Sequence, residues 1–327
     1  LEGWGIPVVE GFDAAHVRDP RPDLVVIGNA VRSDNPEARA AIDDGIPYRS
    51  FSDALYELAI ADRHSVVVTG THGKTTTTTL TAHLLNATGR DPSLLVGGIS
   101  LDFGGSFREG QGEHFVVEGD EYDTAFFDKT PKFLHYHPQT LIITSVEFDH
   151  ADIYADLEAI KAQFRRLVAR MPADGTIVAA TGHEGVADVV SGARCRVLRY
   201  GVTGETAPGA RLDWVASDLE PGETGSSFVL GLPDGGRHRV GMPLFGAFNA
   251  ENCLAALAVV ESLGVPFDEA IAALSSFQGI KRRQEVRGEV AGVTVIDDFA
   301  HHPTAVRGTV EAVRRRFPGR RLVAVFE

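Results

Sequence analysis

The chain has 327 residues, 45 acidic and 31 basic, for a formal net charge of -14. That balance argues against nucleic acid as the main partner, and two cysteines, Cys195 and Cys253, are too few for a disulfide framework or a four-cysteine zinc site. Hydrophobic residues at 43% and charged residues at 23% describe a globular chain with room for two or three domains. No apolar run approaches the roughly 18 residues that suggest a membrane span, so a reducing, cytoplasmic setting is expected.

The chain starts at Leu1 without Met and reads as though entered mid-protein. Residues 24–27 (LVVI) predict a strand followed by Gly28 and Asn29. Residues 35–43 predict a short helix with Pro36 in its first turn, and 51–60 predict another. Together they suggest a small, incomplete α/β domain over 1–60. It lacks a dinucleotide-type G-x-G-x-x-G turn.

The next stretch organises the rest. Val66, Val67 and Val68 form a β-branched apolar run suited to a buried strand. Gly70-Thr71-His72-Gly73-Lys74-Thr75 follows, then a helix over 76–85 despite the low propensity of its Thr run. A strand, a Gly-rich turn and a helix start together make a phosphate cradle. Lys74 can reach outer phosphates, and Thr75 can place a hydroxyl on Mg²⁺. Only two residues separate Gly70 from Gly73, so the longer G-x-x-x-x-G-K-[ST] spacing is not met.

Strands are predicted at 114–117, running into Glu118, and at 141–144, running into Ser145 and His150. An amphipathic helix is predicted over 155–168, ending before Met171 and Pro172. Further strands are predicted at 176–180, 195–200 and 212–216, with a hairpin strand at 227–230 between glycine-rich turns. Helices follow over 249–263 and 267–276. This alternation argues for an α/β chain with a mostly parallel sheet and a later antiparallel patch. Past Phe277 come Lys281, Arg282 and Arg283. A strand at 293–296, a helix at 304–315 and a strand at 322–326 read as the opening βαβ of a third, truncated domain. The expected domains are therefore 1–60, 61–276 and 277–327.

Three acidic clusters follow strands. Glu118 sits at a strand end, where open α/β sheets place active groups, and its carboxylate suits Mg²⁺. In the run from Glu147 to Asp152, His150 can ligate a cation or orient a carboxylate, and Asp149 can cap a helix. Asp297 and Asp298 with His301 and His302 can meet a ribose, a phosphate or a reacting carboxylate. They also permit a zinc reading, although their spacing lacks the other ligands of a closed site. Arg282 and Arg283 can clamp phosphoryl charge or form a solvated basic turn. Asn249 reads as a helix cap or a base contact, and Phe126 and Phe127 as packing residues. A phosphate loop with two metal-capable clusters argues for ATP chemistry.

These runs together resemble the Mur ligases, the ATP-dependent amide-bond enzymes of peptidoglycan assembly. The phosphate loop is the shared sign. EGDEYDTAFFDK from Glu118, EFDHADIY from Glu147, FQGIKRRQE from Phe277 and DDFAHHPTAV from Asp297 resemble the branch of murein peptide ligases that serves recycling. The resemblance implies three domains, a central P-loop domain between a UDP-sugar domain and a peptide-binding domain, the outer two incomplete here. It implies that the carboxylate of UDP-N-acetylmuramate is joined through an acyl phosphate to the amine of L-Ala-γ-D-Glu-meso-diaminopimelate, with ATP and Mg²⁺. Addition of L-alanine, a folyl or cyanophycin-type ligation, or nucleotide binding without turnover are the alternatives.

By the same resemblance, Gly70, Thr71, His72, Gly73, Lys74, Thr75 and Thr76 would line the ATP phosphates. Thr75, Glu118 and His150 would hold Mg²⁺. Asn249 would approach the adenine, Arg283 the phosphates and Asp298 the ribose, and His301 would lie near the reacting end. The chain departs from the family pattern with Phe248 before Asn249, with Thr144-Ser145-Val146 before Glu147, and with Gly119 after Glu118.

Overall fold

A computed structural model describes residues 2–149, 151, 153–207 and 209–325. The chain opens with a small α/β unit in which β1 (Val25–Ile27) and β2 (Tyr48–Ser50) pair in parallel across α1 (Pro36–Asp43). The Asn35 side chain accepts from the N–H groups of Glu37 and Ala38, and Pro36 takes the first turn, where no N–H is missed. The helix expected over 51–60 occurs in two parts. α2 (Phe51–Leu55), capped by Ser50, passes into a π-helical turn at Tyr56–Ile60.

A ten-stranded sheet follows. In chain order it comprises β3 (His64–Thr69), α3 (Lys74–Ala87), β4 (Ser93–Ser100), β5 (Gly105–Arg108) and β6 (His114–Glu118). A side hairpin, β7 (Asp123–Ala125) with β8 (Asp128–Pro131), leads to β9 (Thr140–Ile143), α4 (Leu157–Ala169), β10 (Thr176–Ala179), α5 (Glu184–Val189) and β11 (Arg196–Val202). Then come β12 (Trp214–Pro221), β13 (Ser226–Gly231), β14 (Arg237–Met242), α6 (Ala247–Ser262) and α7 (Phe267–Leu274). Across the sheet the order is β14-β13-β12-β11-β10-β9-β3-β6-β4-β5. From β12 to β4 the neighbours are parallel, and β13, β14 and β5 are joined through antiparallel pairs.

Both faces of the central strands are covered, so these strands read as unbroken apolar runs. Val66 and Val68 pack on the side of α3, α6 and α7, while Val67 packs with Ile160 and Phe164 of α4 on the other. Ile142 against Leu141 and Ile143, and Val178 against Ile177, divide in the same way, as the two-residue strand period requires. α6 is apolar almost all round and buried from Cys253 to Val260. The Thr run of α3 tolerates burial because its hydroxyls bond back one turn. Thr78, Thr79 and Thr81 donate to the carbonyls of Lys74, Thr75 and Thr77 at 2.8 Å.

The C-terminal segment departs from the expected βαβ. β15 (Glu285–Val290) and β16 (Val293–Asp297) form an antiparallel hairpin, followed by α8 (Pro303–Arg316). Its turn holds Ala291 at φ 50° and Gly292 at φ 76°, the left-handed pair that matches a tight hairpin. The charged sequence of β15, EVRGEV, conceals a strand exposed along most of its length. Residues 322–325 carry no strand, having no ladder partner among the described residues, and 326 lies outside them.

Candidate active site at the mouth of the phosphate loop

β3, β6 and β9 are neighbours in parallel, so their C-terminal ends open on one side of the sheet. The loop after β3 is held there by glycine geometry. Gly70 has φ +130°, and a Cβ on it would meet Thr144 Oγ1 and come within 2.7 Å of Ser145 N. Gly73 has φ +78°, and its Cβ would lie 2.5 Å from Asn252 Oδ1 on α6. The loop is thus wedged between the end of β9 and α6, a fit only glycine allows. Thr71 N donates to Ser145 O at 3.1 Å, His72 N donates to Ser145 Oγ at 2.8 Å, and Thr144 Oγ1 donates to His72 O. α3 then begins at Lys74 with no side-chain cap, which leaves first-turn N–H groups for an anion.

The charged groups converge on this turn. Lys74 Nζ donates to Gly70 O and to Glu121 Oε2, both at 2.8 Å, and Asp120 lies at 4.0 Å. Burial lowers the ammonium's pKa, but Glu121, Asp120 and Glu118 outweigh it and the net shift is upward. Thr75 Oγ1 donates to Glu118 Oε1 at 3.1 Å, and Gly97 N donates to Glu118 Oε2 at 2.8 Å. Burial raises the Glu118 carboxyl despite the counter-pull of Lys74 and the Gly97 N–H. Thr75 and Glu118 therefore present hard oxygen donors of the kind Mg²⁺ takes. Arg283 reaches in from the C-terminal segment and donates to Thr75 Oγ1 at 3.1 Å.

A cavity of about 600 Å³ opens over these groups, lined by the loop from Thr71 to Thr76, by Glu118, and by Asn249, Arg283, Asp298 and His301. Gly70 contributes the carbonyl under Lys74. Asn249 lies inside the first turn of α6 rather than at its cap, which is Gly246. Its amide is committed to Phe245 O at 2.9 Å and to Asn252 at 3.1 Å. Asp298 accepts from Gln284 N, Ala300 N and Thr309 Oγ1, which fixes the turn after β16. His301 is exposed and lies 3.0 Å from Phe299 O. His150 lies outside the described residues. Asp156, not Asp149, caps α4.

Four participants were not singled out from the sequence. Glu121 is the direct partner of Lys74, hidden within an acidic run. Asn252 backs Gly73 and accepts from Thr77 Oγ1 at 3.0 Å; its spacing one turn after Asn249 was the available signal. His183 and Glu251, 3.1 Å apart, line the same cavity. They come from α5's cap and α6, and nothing local in the sequence joins them.

Residues 68–260 match the Mur ligase middle domain, more than half of the chain. The chain belongs to the Mur ligase family. Residues 282–327 of this Mur ligase match the family's glutamate ligase domain, and residues 1–63 match the Mur ligase family, catalytic domain. It is 41% identical to the UDP-N-acetylmuramate--L-alanyl-gamma-D-glutamyl-meso-2,6-diaminoheptandioate ligase of Escherichia coli, over the whole chain and 70% of that protein. It is 39% identical to the UDP-N-acetylmuramate--L-alanine ligase of Acidothermus cellulolyticus, over the whole chain and 66% of that protein. The murein peptide ligase of Psychrobacter arcticus superposes with a TM-score of 0.81 at 36% identity, covering 98% of this chain and 69% of that one. The architecture is accordingly the three-domain α/β arrangement of the family, a central mixed sheet between smaller N- and C-terminal units.

Proposed function

We propose that this Mur ligase joins the carboxylate of UDP-N-acetylmuramate to the free amine of L-alanyl-γ-D-glutamyl-meso-diaminopimelate, using ATP and Mg²⁺. The observation that carries the reading is one cavity in which the phosphate loop, Lys74 and the Thr75–Glu118 oxygen pair face a wall built by the C-terminal segment. The 41% identity over the whole chain to a ligase of that name supports the choice of amine. The unit 1–60 would hold the UDP-sugar, 61–276 the nucleotide and 277–327 the peptide side. Among the described residues no helix is long and apolar enough to cross a membrane.

A carboxylate is a poor acyl donor because oxide is a poor leaving group. Transfer of the terminal phosphoryl of ATP to that carboxylate makes an acyl phosphate and ADP. The amine then attacks the acyl carbon, phosphate leaves with the C–O bonding pair, and the amine loses a proton. Lys74 would exchange its contact with Glu121 for the outer phosphates and offset the charge of the transferring group. Thr75 and Glu118 would hold Mg²⁺, which supplies Lewis-acid stabilisation of phosphoryl oxygens when bound. Arg283, already on Thr75, would bring positive charge from the C-terminal wall, and that wall would shield the acyl phosphate from water.

Phosphate release by the purified protein with ATP, Mg²⁺ and UDP-N-acetylmuramate tests this. Release is expected with the tripeptide and not with L-alanine. Release with L-alanine alone would replace this reading with that of the alanine-adding ligase. Nucleotide binding without release under either condition would favour a regulatory protein.

A further inference from the structure

His72, Glu147 and His302 come from three separate places in the chain: the phosphate loop, the turn after β9, and the residue that opens α8. Their ligating atoms all lie within 4.8 Å of one another. His72 Nε2 is 3.5 Å from Glu147 Oε2, and His302 Nδ1 is 3.8 Å from the same oxygen. These are poor hydrogen-bond lengths but fair ligand-to-ligand lengths, since two atoms each about 2.1 Å from a tetrahedral ion stand about 3.4 Å apart.

The hydrogen-bond pattern suits the same role. His302 Nε2 lies 3.2 Å from the carbonyl oxygen of Phe148. Only an N–H can make that bond, so in the neutral ring Nδ1 carries the lone pair and faces Glu147. A metal-bound imidazole usually donates its other nitrogen in this way. Thr304 Oγ1 donates to Glu147 Oε2 at 2.7 Å and fixes the carboxylate; Thr304 N approaches His302 Nδ1 at 3.3 Å, the weak cap of α8. His72 Nε2 is buried and makes no hydrogen bond among the described residues. A buried polar atom whose nearest partner is a carboxylate at 3.5 Å is weakly satisfied, and that calls for an explanation.

We propose that His72, Glu147 and His302 form a site for a borderline divalent transition metal of the zinc class, with water in the open position. Two imidazoles and one carboxylate are a recurrent zinc donor set, and the nitrogens select against Mg²⁺. The site shares no residue with the Thr75–Glu118 pair. Because its ligands span the loop and the start of α8, a bound ion ties the C-terminal segment to the phosphate loop.

The test needs neither ATP nor peptide, so its outcome is separable from that of the ligase assay. Untagged, chelator-stripped protein is titrated with Co²⁺. One ion per chain is expected, with the visible absorption of a low-coordinate site, undisturbed by excess Mg²⁺. His302→Gln removes a ligand and should weaken binding by more than the roughly 10- to 100-fold that loss of an outer-shell partner costs. X-ray absorption of the zinc-loaded unsubstituted protein, which does not depend on a variant folding, should show imidazole nitrogen and no sulfur. A sulfur shell would place the ion on Cys195 or Cys253 instead. That result, full-strength binding by His302→Gln, or displacement by Mg²⁺ would each overturn the proposal.

Discussion

The two halves of α3 use similar groups to opposite ends. At its first turn Lys74 and Thr75 hold carboxylates in a cavity wall, with partners a phosphate or a cation can replace. Further along the same helix, His83 Nδ1 sits 2.8 Å from Asp102 while Nε2 lies 3.0 Å from Ala273 O and 3.2 Å from Ser276 Oγ. Gln278 N donates to Asp102 at 3.2 Å. That second cluster does not line the cavity over the phosphate loop, and its polar atoms pin α3, the turn after β4 and the end of α7 together. A polar group whose partners are all structural holds the fold; a group whose partners face open space is ready to exchange them. Substitutions at the front of α3 should therefore cost turnover first, and substitutions at the back should cost stability alone.

The largest effect should come from Lys74→Met. Loss of a charge aimed at the transferring phosphoryl should lower phosphate release by about 100- to 1,000-fold or more. It also breaks the ion pair with Glu121, whose side chain is 3% exposed, and removing one partner of a buried pair costs about 3–5 kcal/mol. Adding Glu121→Gln should restore the denaturation midpoint and leave turnover low. Recovery of both together would make Lys74 a structural residue like His83. Gly70→Ala comes next. Its φ of +130° and the closeness of Ser145 N should cost about 1–3 kcal/mol in strain and raise the KM for ATP. Arg283→Met should follow, with turnover down about 10- to 100-fold, the worth of a charged hydrogen bond, and an unchanged unfolding midpoint.

The same contrast explains what was legible in the sequence. The phosphate loop, its valine strand and Glu118 lie in short contiguous runs whose local geometry dictates their place, and all were readable. The strand ladder between β9 and β12 was readable for the same reason. Glu121 was concealed among equivalent carboxylates, because only the packed position of Lys74 tells them apart. His72 with His302, and His183 with Glu251, are joined by folding across long separations that no local period records. β15 and β14 are charged, largely exposed edge strands whose pairing is set by a neighbour, so their side chains carry a weak signal. The Thr run of α3 was read through its propensity, but the decisive fact is its back-bonding to carbonyls inside the core.

The smallest effect is also the sharpest discriminator. Burial lowers the pKa of His83, but its hydrogen bonds to Asp102 and to the Ala273 carbonyl, with the Asp102 charge, more than reverse this and raise it above 6.5. The folded protein therefore binds that proton more tightly than the unfolded chain does. The stabilisation is complete below the unfolded value and is lost as pH rises through the folded one. Thermal unfolding measured across this range should show a midpoint-against-pH slope that His83→Gln shifts upward, over a background from His64, His114 and His137, whose pKa values burial lowers and whose contributions run the other way. His183, raised by Glu251, contributes with the same sign as His83 and does so equally in both proteins. His83→Gln should also lower stability at acidic pH by about 1–3 kcal/mol, because Asp102 loses a charged partner. Phosphate release per folded molecule should not change. A loss of turnover there, with the slope intact, would mean that the back of α3 communicates with the cavity and that its closed cluster is not merely an anchor.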